Sequence, residues 1–267
     1  MAFERILIFG CGNMAGAMLD GWLSAGFSPA RFTVVDRSND SAPPGVELTR
    51  TVPERSFDAV LLGVKPHALD DVAPLLARAA GEGGTVLSLL AGIRLDTLRA
   101  AFPEAGSVAR VMPNLAVALG KSPIALAEHG MDDAARTALV ELLDPLGTPE
   151  WVGEDAFDLV TALAGSGPAF LYRFIDALGA AAQRLGLPQE QAQRLALAMT
   201  EGAAALAAAS SHDPGELARR VASPGGVTQR GLDVLDRDGA LEALLLETLR
   251  AARDRSAEMS GQPRAQP

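Results

Sequence analysis

The stretch Ile6-Leu7-Ile8-Phe9-Gly10-Cys11-Gly12-Asn13-Met14-Ala15 decides how the N-terminal half reads. The apolar run 6–9 is too short for a helix and reads as a strand, and the glycines stop it at once. Met14, Met18, Leu19, Trp22 and Leu23 then recur at helical spacing as far as Gly26. Strand, G-x-G-x-x-A and helix in this order form the context in which the glycine pattern means dinucleotide binding. Gly10 permits the tight turn, Gly12 lets a pyrophosphate approach the backbone, and Ala15 lets the helix pack on the strand. The N–H groups of the helix start, around Asn13 and Met14, face the phosphates. Cys11 reads as a small residue tolerated in the turn, with a thiolate activated by the helix start as the alternative.

Outward from this motif the alternation continues. Apolar runs at 32–35, 59–64, 85–90 and 108–112 are separated by helical stripes, first Leu69, Val72, Leu75 and Leu76, then Leu95, Leu98 and Phe102. Strands apolar on both faces, alternating with helices, predict a doubly wound, mostly parallel sheet of Rossmann type. The run 124–127 and a helix over 132–143 continue the pattern less clearly. After Trp151 helical patterns dominate: 155–163, then from Pro168 to about Leu185, then from Pro188 to about Ser210, and two more after the Pro224-Gly225-Gly226 break. The expected organisation is a dinucleotide-binding domain over 1–152, an all-helical dimerisation and substrate-binding domain over 153–260, and a frayed tail over 261–267. Alanine-rich helices with few aromatics suit burial against a second copy, so a homo-oligomer is expected.

The chain has 267 residues, 48% hydrophobic and 21% charged, enough for two cores without staples. Its 33 acidic and 23 basic residues give a net charge of −10, which disfavours a nucleic-acid partner. With one cysteine no intramolecular disulfide forms, and the three histidines show no ligand spacing, so no metal site is expected. No targeting segment and no apolar stretch of membrane-spanning length are read, so a cytoplasmic protein is expected and a membrane partner is not.

Asp36 ends the second strand at the distance from the glycines expected of a ribose-binding acid, which favours NAD. Arg37 and Ser38 follow, and an arginine there pairs with the 2′-phosphate of NADP. The two signals conflict; the reading leans to NADP, with NAD as the alternative. Lys65 and Pro66 close a strand on the carboxyl edge, where ligands bind in open α/β folds. In the helical half, Gly165-Ser166-Gly167-Pro168 and Ser223-Pro224-Gly225-Gly226-Val227-Thr228 each offer free N–H groups at a helix start. Each reads equally as a carboxylate-holding nest or as a sharp corner.

With these pieces together the chain resembles the pyrroline-5-carboxylate reductase family. The matching motifs are GCGNMA at 10–15, GVKP at 63–66, Ala91-Gly92, RVMPN at 110–114, TALAGSGPAF at 161–170 and VASPGGVTQRGL at 221–232, in the family's order over nearly the whole chain. Two positions depart: Leu115-Ala116 stands where the family has Thr-Pro, and Ala164 where it has serine. The resemblance implies hydride transfer from NADPH or NADH to the C=N bond of 1-pyrroline-5-carboxylate, giving L-proline. It further implies that Thr228 is the catalytic residue at the ring nitrogen, and that Ser223, Gly225 and Gly226 hold the carboxylate. The nicotinamide end would lie near Val64, Lys65, Pro66, Ala91, Gly92 and Asn114. It also implies pairing of the helical domains between chains. The rivals are a reductase of another small cyclic imine, a β-hydroxyacid dehydrogenase and a non-catalytic NADP-binding regulator. Against the dehydrogenase, 161–194 contains no lysine; against the regulator, Ser223, Gly226 and Thr228 are intact.

Overall fold

The apolar runs form one eight-stranded sheet in a computed structural model that describes residues 3–81 and 83–259. The strands are β1 Ile6–Phe9, β2 Phe32–Val35, β3 Glu47–Thr49, β4 Ala59–Leu62, β5 Thr85–Ser88, β6 Ser107–Met112, β7 Ser122–His129 and β8 Gly147–Trp151. Their order is β3-β2-β1-β4-β5-β6-β7-β8, and every neighbouring pair is parallel except β6 and β7. The helices of this part are α1 Asn13–Ser24, α2 Leu69–Leu76, α3 Leu95–Ala101, α4 Asp133–Leu143 and α5 Phe157–Val160. The rest are α6 Gly167–Arg184, α7 Gln189–Ala209, α8 Pro214–Val221, α9 Val227–Leu235 and α10 Ala240–Met259.

The strands β1, β2, β4 and β5 are buried along their whole length because both faces of the sheet are covered. Ile6, Ile8, Met18, Leu19 and Trp22 belong to one core; Leu7, Phe9, Val60, Leu62 and Leu76 belong to the other. Trp22 is fully buried, stacks on Phe32 at 5.3 Å and donates its indole N–H to the carbonyl of Leu142 at 2.8 Å. Burying such a side chain contributes roughly 1.5–3 kcal/mol once its polar tip is satisfied.

Two strands go beyond the alternation in the sequence. Edge strand β3 has only Glu47–Thr49, none of them buried, and β8 alternates half-buried and exposed residues. The reversal at β7 follows from loop length. The segment 113–121 is too short for a crossover back to the same end of the sheet, which needs a dozen or more residues. A 3-10 turn at Leu115–Leu119 and Gly120, at φ 64°, turn the chain around instead. The expected strands 59–64 and 85–90 stop earlier, at Leu62 and Ser88.

By packing, the chain divides into two compact units, residues 3–166 with 252–259 and residues 167–251. This division falls after the 152/153 boundary read from the sequence. Phe157, 1% exposed, is part of the sheet's own core and lies under the Arg110 guanidinium at 3.9 Å, which holds the connector to the sheet. The expected helix 155–163 is a composite: a 3-10 turn Glu154–Ala156, α5, then a π turn Thr161–Gly165 closed by Ser166 N donating to Thr161 O at 3.0 Å. Ser166 alone separates this turn from α6, so the expected glycine-proline loop at 165–168 is a change of helix type. The tail read at 261–267 lies outside the described residues.

In the second unit α6 and α7 pack on one another, with the buried Gly179 facing Gln193: a Cβ there would meet the Gln193 Cα in ordinary contact at 3.5 Å. Asp213 caps α8 by accepting from Glu216 N at 2.8 Å. Within this unit only Gly179, Ala192 and Ala196 are buried among the described residues.

Candidate active site

Strand order reverses direction on either side of β1, with β2 to one side and β4 to the other. The carboxyl ends diverge there and open the crevice in which ligands bind in such sheets. Gly10 ends β1 at φ 83°, a backbone conformation that side chains disfavour. A Cβ on it would lie 2.7 Å from Val64 Cγ1, and one on Gly63 would lie 2.1 Å from Gly10 O, so the two turns pass in contact. Gly12 is the N-cap of α1, and a Cβ there would meet nothing within 4 Å. The protein's own packing therefore does not require glycine at 12. The open space lies over the first-turn N–H groups of Asn13, Met14 and Ala15, which have no partner within the helix. A pyrophosphate fits this cradle by size and by charge.

Beside it is a cavity of about 640 Å³. Gly10, Asp36, Arg37, Ser38 and Val64, all expected at the cofactor site, line it. Its apolar wall is Val52, Ala68, Val72 and Leu75, the kind of slot that takes a flat base. The residues present thus fit a nicotinamide dinucleotide, which they would hold by its phosphates and adenosine end. Arg50, Thr51 and Val52, also in the lining, went unread in the sequence because the strand that places them is short and not apolar.

Asp36 is turned into the loop. Its Oδ2 accepts Cys11 N at 2.7 Å; its Oδ1 accepts Ser38 N at 2.7 Å and Asn39 N at 3.0 Å. Asn39 completes the tie by donating Nδ2 to Cys11 O at 2.8 Å. Partial burial pushes the Asp36 carboxyl up, but the N–H groups of Asn39, Ser38 and Cys11 and the charge of Arg50 outweigh it, and the pKa falls below the ordinary value. Cys11 therefore contributes structure: its N–H is spent on Asp36. Burial, then Asp36 and Asp20, push its thiol up to about 11, so it is not a thiolate near neutrality.

The residues expected at the nicotinamide end lie further along the same carboxyl edge. Val64, Lys65 and Pro66 follow β4, Ala91 and Gly92 follow β5, and Asn114 follows β6. Lys65 is exposed. Asn114 is 7% exposed and its side chain is committed to the protein: Oδ1 accepts Ala116 N at 2.9 Å and Nδ2 donates to the Ala164 carbonyl in the π turn at 3.0 Å. Its backbone is engaged as well, the N–H donating to Ser122 Oγ at 2.9 Å and the carbonyl accepting Val117 N at 3.1 Å, so Asn114 shapes the end of β6.

In the second unit Ser223 to Thr228 makes a tight turn into α9. Gly226 is the N-cap and its N–H returns to Ser223 O at 2.9 Å. Gly225 sits at φ 72°, so the turn itself favours glycine there, while a Cβ on Gly226 would lie 2.3 Å from Ser223 Oγ and displace that hydroxyl. Val227, Thr228 and Gln229 head the helix with N–H groups free of helical partners. Ser223 and Thr228 are exposed, and neither hydroxyl is hydrogen-bonded among the described residues. The turn can hold a small carboxylate.

Comparisons with known proteins bear on both units. Residues 154–259 match the family described as pyrroline-5-carboxylate reductase dimerisation, and residues 5–92 that described as NADP oxidoreductase, coenzyme F420-dependent. Pyrroline-5-carboxylate reductase of Pseudomonas aeruginosa is 34% identical over 98% of this chain and 99% of that protein. Pyrroline-5-carboxylate reductase 2 of Bacillus subtilis is 32% identical over 97% and 96%. Among solved structures, a pyrroline-5-carboxylate reductase from Coxiella burnetii superposes with a TM-score of 0.89 at 31% identity, covering 97% of this chain and 99% of that one. Pyrroline carboxylate reductase of Plasmodium falciparum, solved with NADP bound, shares the fold with a TM-score of 0.82 at 22% identity over 97% and 99%.

Proposed function

The chain belongs to the pyrroline-5-carboxylate reductase family, and from that premise we propose that it reduces 1-pyrroline-5-carboxylate to L-proline in proline biosynthesis. The observation that carries the reading is the presence of two glycine-lined helix starts, one heading α1 and one heading α9. In this reading the first suits a dinucleotide's diphosphate and the second the substrate's carboxylate. A reduced nicotinamide dinucleotide, NADPH or NADH, supplies the hydride when bound.

The chain's own residues bind and orient. Asn13, Met14 and Ala15 hold the diphosphate by their N–H groups, and Val52, Val64 and Val72 enclose the adenosine end. Ser223, Gly225 and Gly226 fix the substrate carboxylate at the head of α9. Thr228 places its unengaged hydroxyl at the ring nitrogen and hydrogen-bonds the protonated imine. A protonated imine is already electrophilic, so orientation and exclusion of water do the work that an acid would do elsewhere.

Assembly belongs to the same reading. Leu171, Tyr172, Phe174, Leu195, Leu206 and Leu245 are among the large apolar side chains exposed on the helical unit. A unit with so little buried is short of a core of its own, and a second copy covers these faces. Among the described residues no helix is long and apolar enough to cross a membrane. The reading places the enzyme in the cytoplasm.

The test is oxidation of NADPH and of NADH with 1-pyrroline-5-carboxylate, with its six-membered analogue as control and proline identified as product. Turnover is expected with the five-membered ring in preference to the six-membered one. Absence of turnover with both cofactors would refute the assignment.

A further inference from the structure

The carboxyl ends of β3, β2 and β1 place a second arginine beside the ribose position. In the β2–β3 register Val35 pairs with Thr49, and Asp36 N donates to Thr49 O at 3.3 Å. Arg50 is thus the next residue along, level with Asp36. Its Nη1 donates to Asp36 O at 2.8 Å, which anchors one edge of the guanidinium to the backbone. Its Nη2 pairs with Asp40 at 2.9 Å, but the Asp40 side chain is 98% exposed, so solvent screens that contact and an incoming anion displaces it readily. Arg50 lines the same cavity as Gly10, Arg37 and Ser38, and Arg37 is exposed and forms no ion pair among the described residues.

We infer that Arg50 and Arg37 form a two-armed clasp for a phosphomonoester on the ribose, and that Arg50 is a specificity-determining residue for NADPH over NADH. The inference rests on the proposed dinucleotide site. Asp36, the residue that would ordinarily accept the ribose hydroxyls and repel a phosphate there, has its carboxylate engaged by three N–H groups, those of Cys11, Ser38 and Asn39, whose dipoles offset its charge. Two guanidinium groups, one of them pre-anchored, then set the preference by bidentate pairing with phosphate oxygens.

Calorimetric binding of two probes, 2′,5′-ADP and 5′-ADP, to the full-length protein tests this without turnover. In Arg50→Met, affinity for 2′,5′-ADP is expected to fall roughly tenfold or more while 5′-ADP binds as before, because one charge-assisted contact is lost from the phosphate alone. Arg50→Lys, which keeps a point charge, recovers part of the loss. Unchanged 2′,5′-ADP affinity in Arg50→Met would overturn the inference and leave the dinucleotide site standing. An equal loss for both probes would overturn it too, since Arg50 would then act on the adenosine site as a whole. Failure of the unsubstituted protein to bind either probe would bring down the dinucleotide reading itself.

Discussion

The carboxylate of Asp36 accepts the backbone N–H of Cys11 at 2.7 Å, tying the end of β2 to the glycine turn that follows β1. This one bond converts a ribose-binding acid into a brace for the phosphate loop. It also removes Cys11 N from the set of donors that reach a diphosphate.

Asp36→Asn should therefore loosen the loop while leaving the cavity walls in place. The expected result is weaker cofactor binding, read as a raised cofactor KM with kcat less affected. The pH dependence has a fixed sign. The folded-state pKa of Asp36 lies below its ordinary value, so its stabilising contribution is complete above the ordinary carboxylate range and is lost as pH falls through the lowered value. Thermal denaturation between pH about 3 and 7 should show a shallower acid-side loss in the variant than in the parent.

Cys11 should resist thiol reagents. With its pKa pushed up to about 11, from 9.0, the thiolate fraction at pH 8 is smaller by about two orders of magnitude than that of an unperturbed thiol. Alkylation by iodoacetamide at pH 8 is expected to be correspondingly slow, and to accelerate as pH approaches the raised pKa. Rapid alkylation at pH 7 would contradict a protonated, braced thiol.

Glu154 should matter for stability. Its Oε1 accepts Arg110 Nη1 at 3.3 Å and Leu95 N at 2.7 Å, and the Arg110 side chain is 4% exposed. Burial lowers the Arg110 pKa and Glu154 opposes it. Arg110 Nε has no partner, so this arginine depends heavily on one carboxylate and on the Phe157 ring. Glu154→Ala leaves a buried charge unpaired and should cost about 3–5 kcal/mol in denaturant unfolding. Adding Arg110→Met should recover much of that loss, which a simple cavity effect would not.

Thr228→Ala tests the substrate side. Loss of one hydrogen bond to a charged ring nitrogen, about 1.5–3 kcal/mol, should lower kcat by roughly 10–100-fold. The exposed hydroxyl makes no hydrogen bond within the described residues, so neither folding nor cofactor affinity should change. Unchanged kinetics would remove Thr228 from the reaction.

What the sequence shows and what it hides follow from range. The β1 to α1 turn, the alternating apolar strands and the acid closing β2 are local patterns, and they read directly. Edge strand β3 is hidden because Glu47–Thr49 carries no apolar run, and Arg50 is hidden with it. The reversal at β7 is implied by the short 113–121 connection, but composition does not carry direction. Asn114 stands in a recognisable motif, yet its bond to the Ala164 carbonyl joins segments remote in sequence, so its structural use was not visible. The turn at 223–228 reads well because its break is local, with Gly225 at a φ that favours glycine.

The most direct test of hydride delivery to the imine is isotope transfer. Reduced cofactor carrying deuterium in the transferable position at nicotinamide C4 is supplied with 1-pyrroline-5-carboxylate, and the product is analysed by mass spectrometry and NMR. The account predicts L-proline with one deuterium at C5, the former imine carbon. Proline without deuterium, or no proline while the cofactor remains reduced, would contradict it.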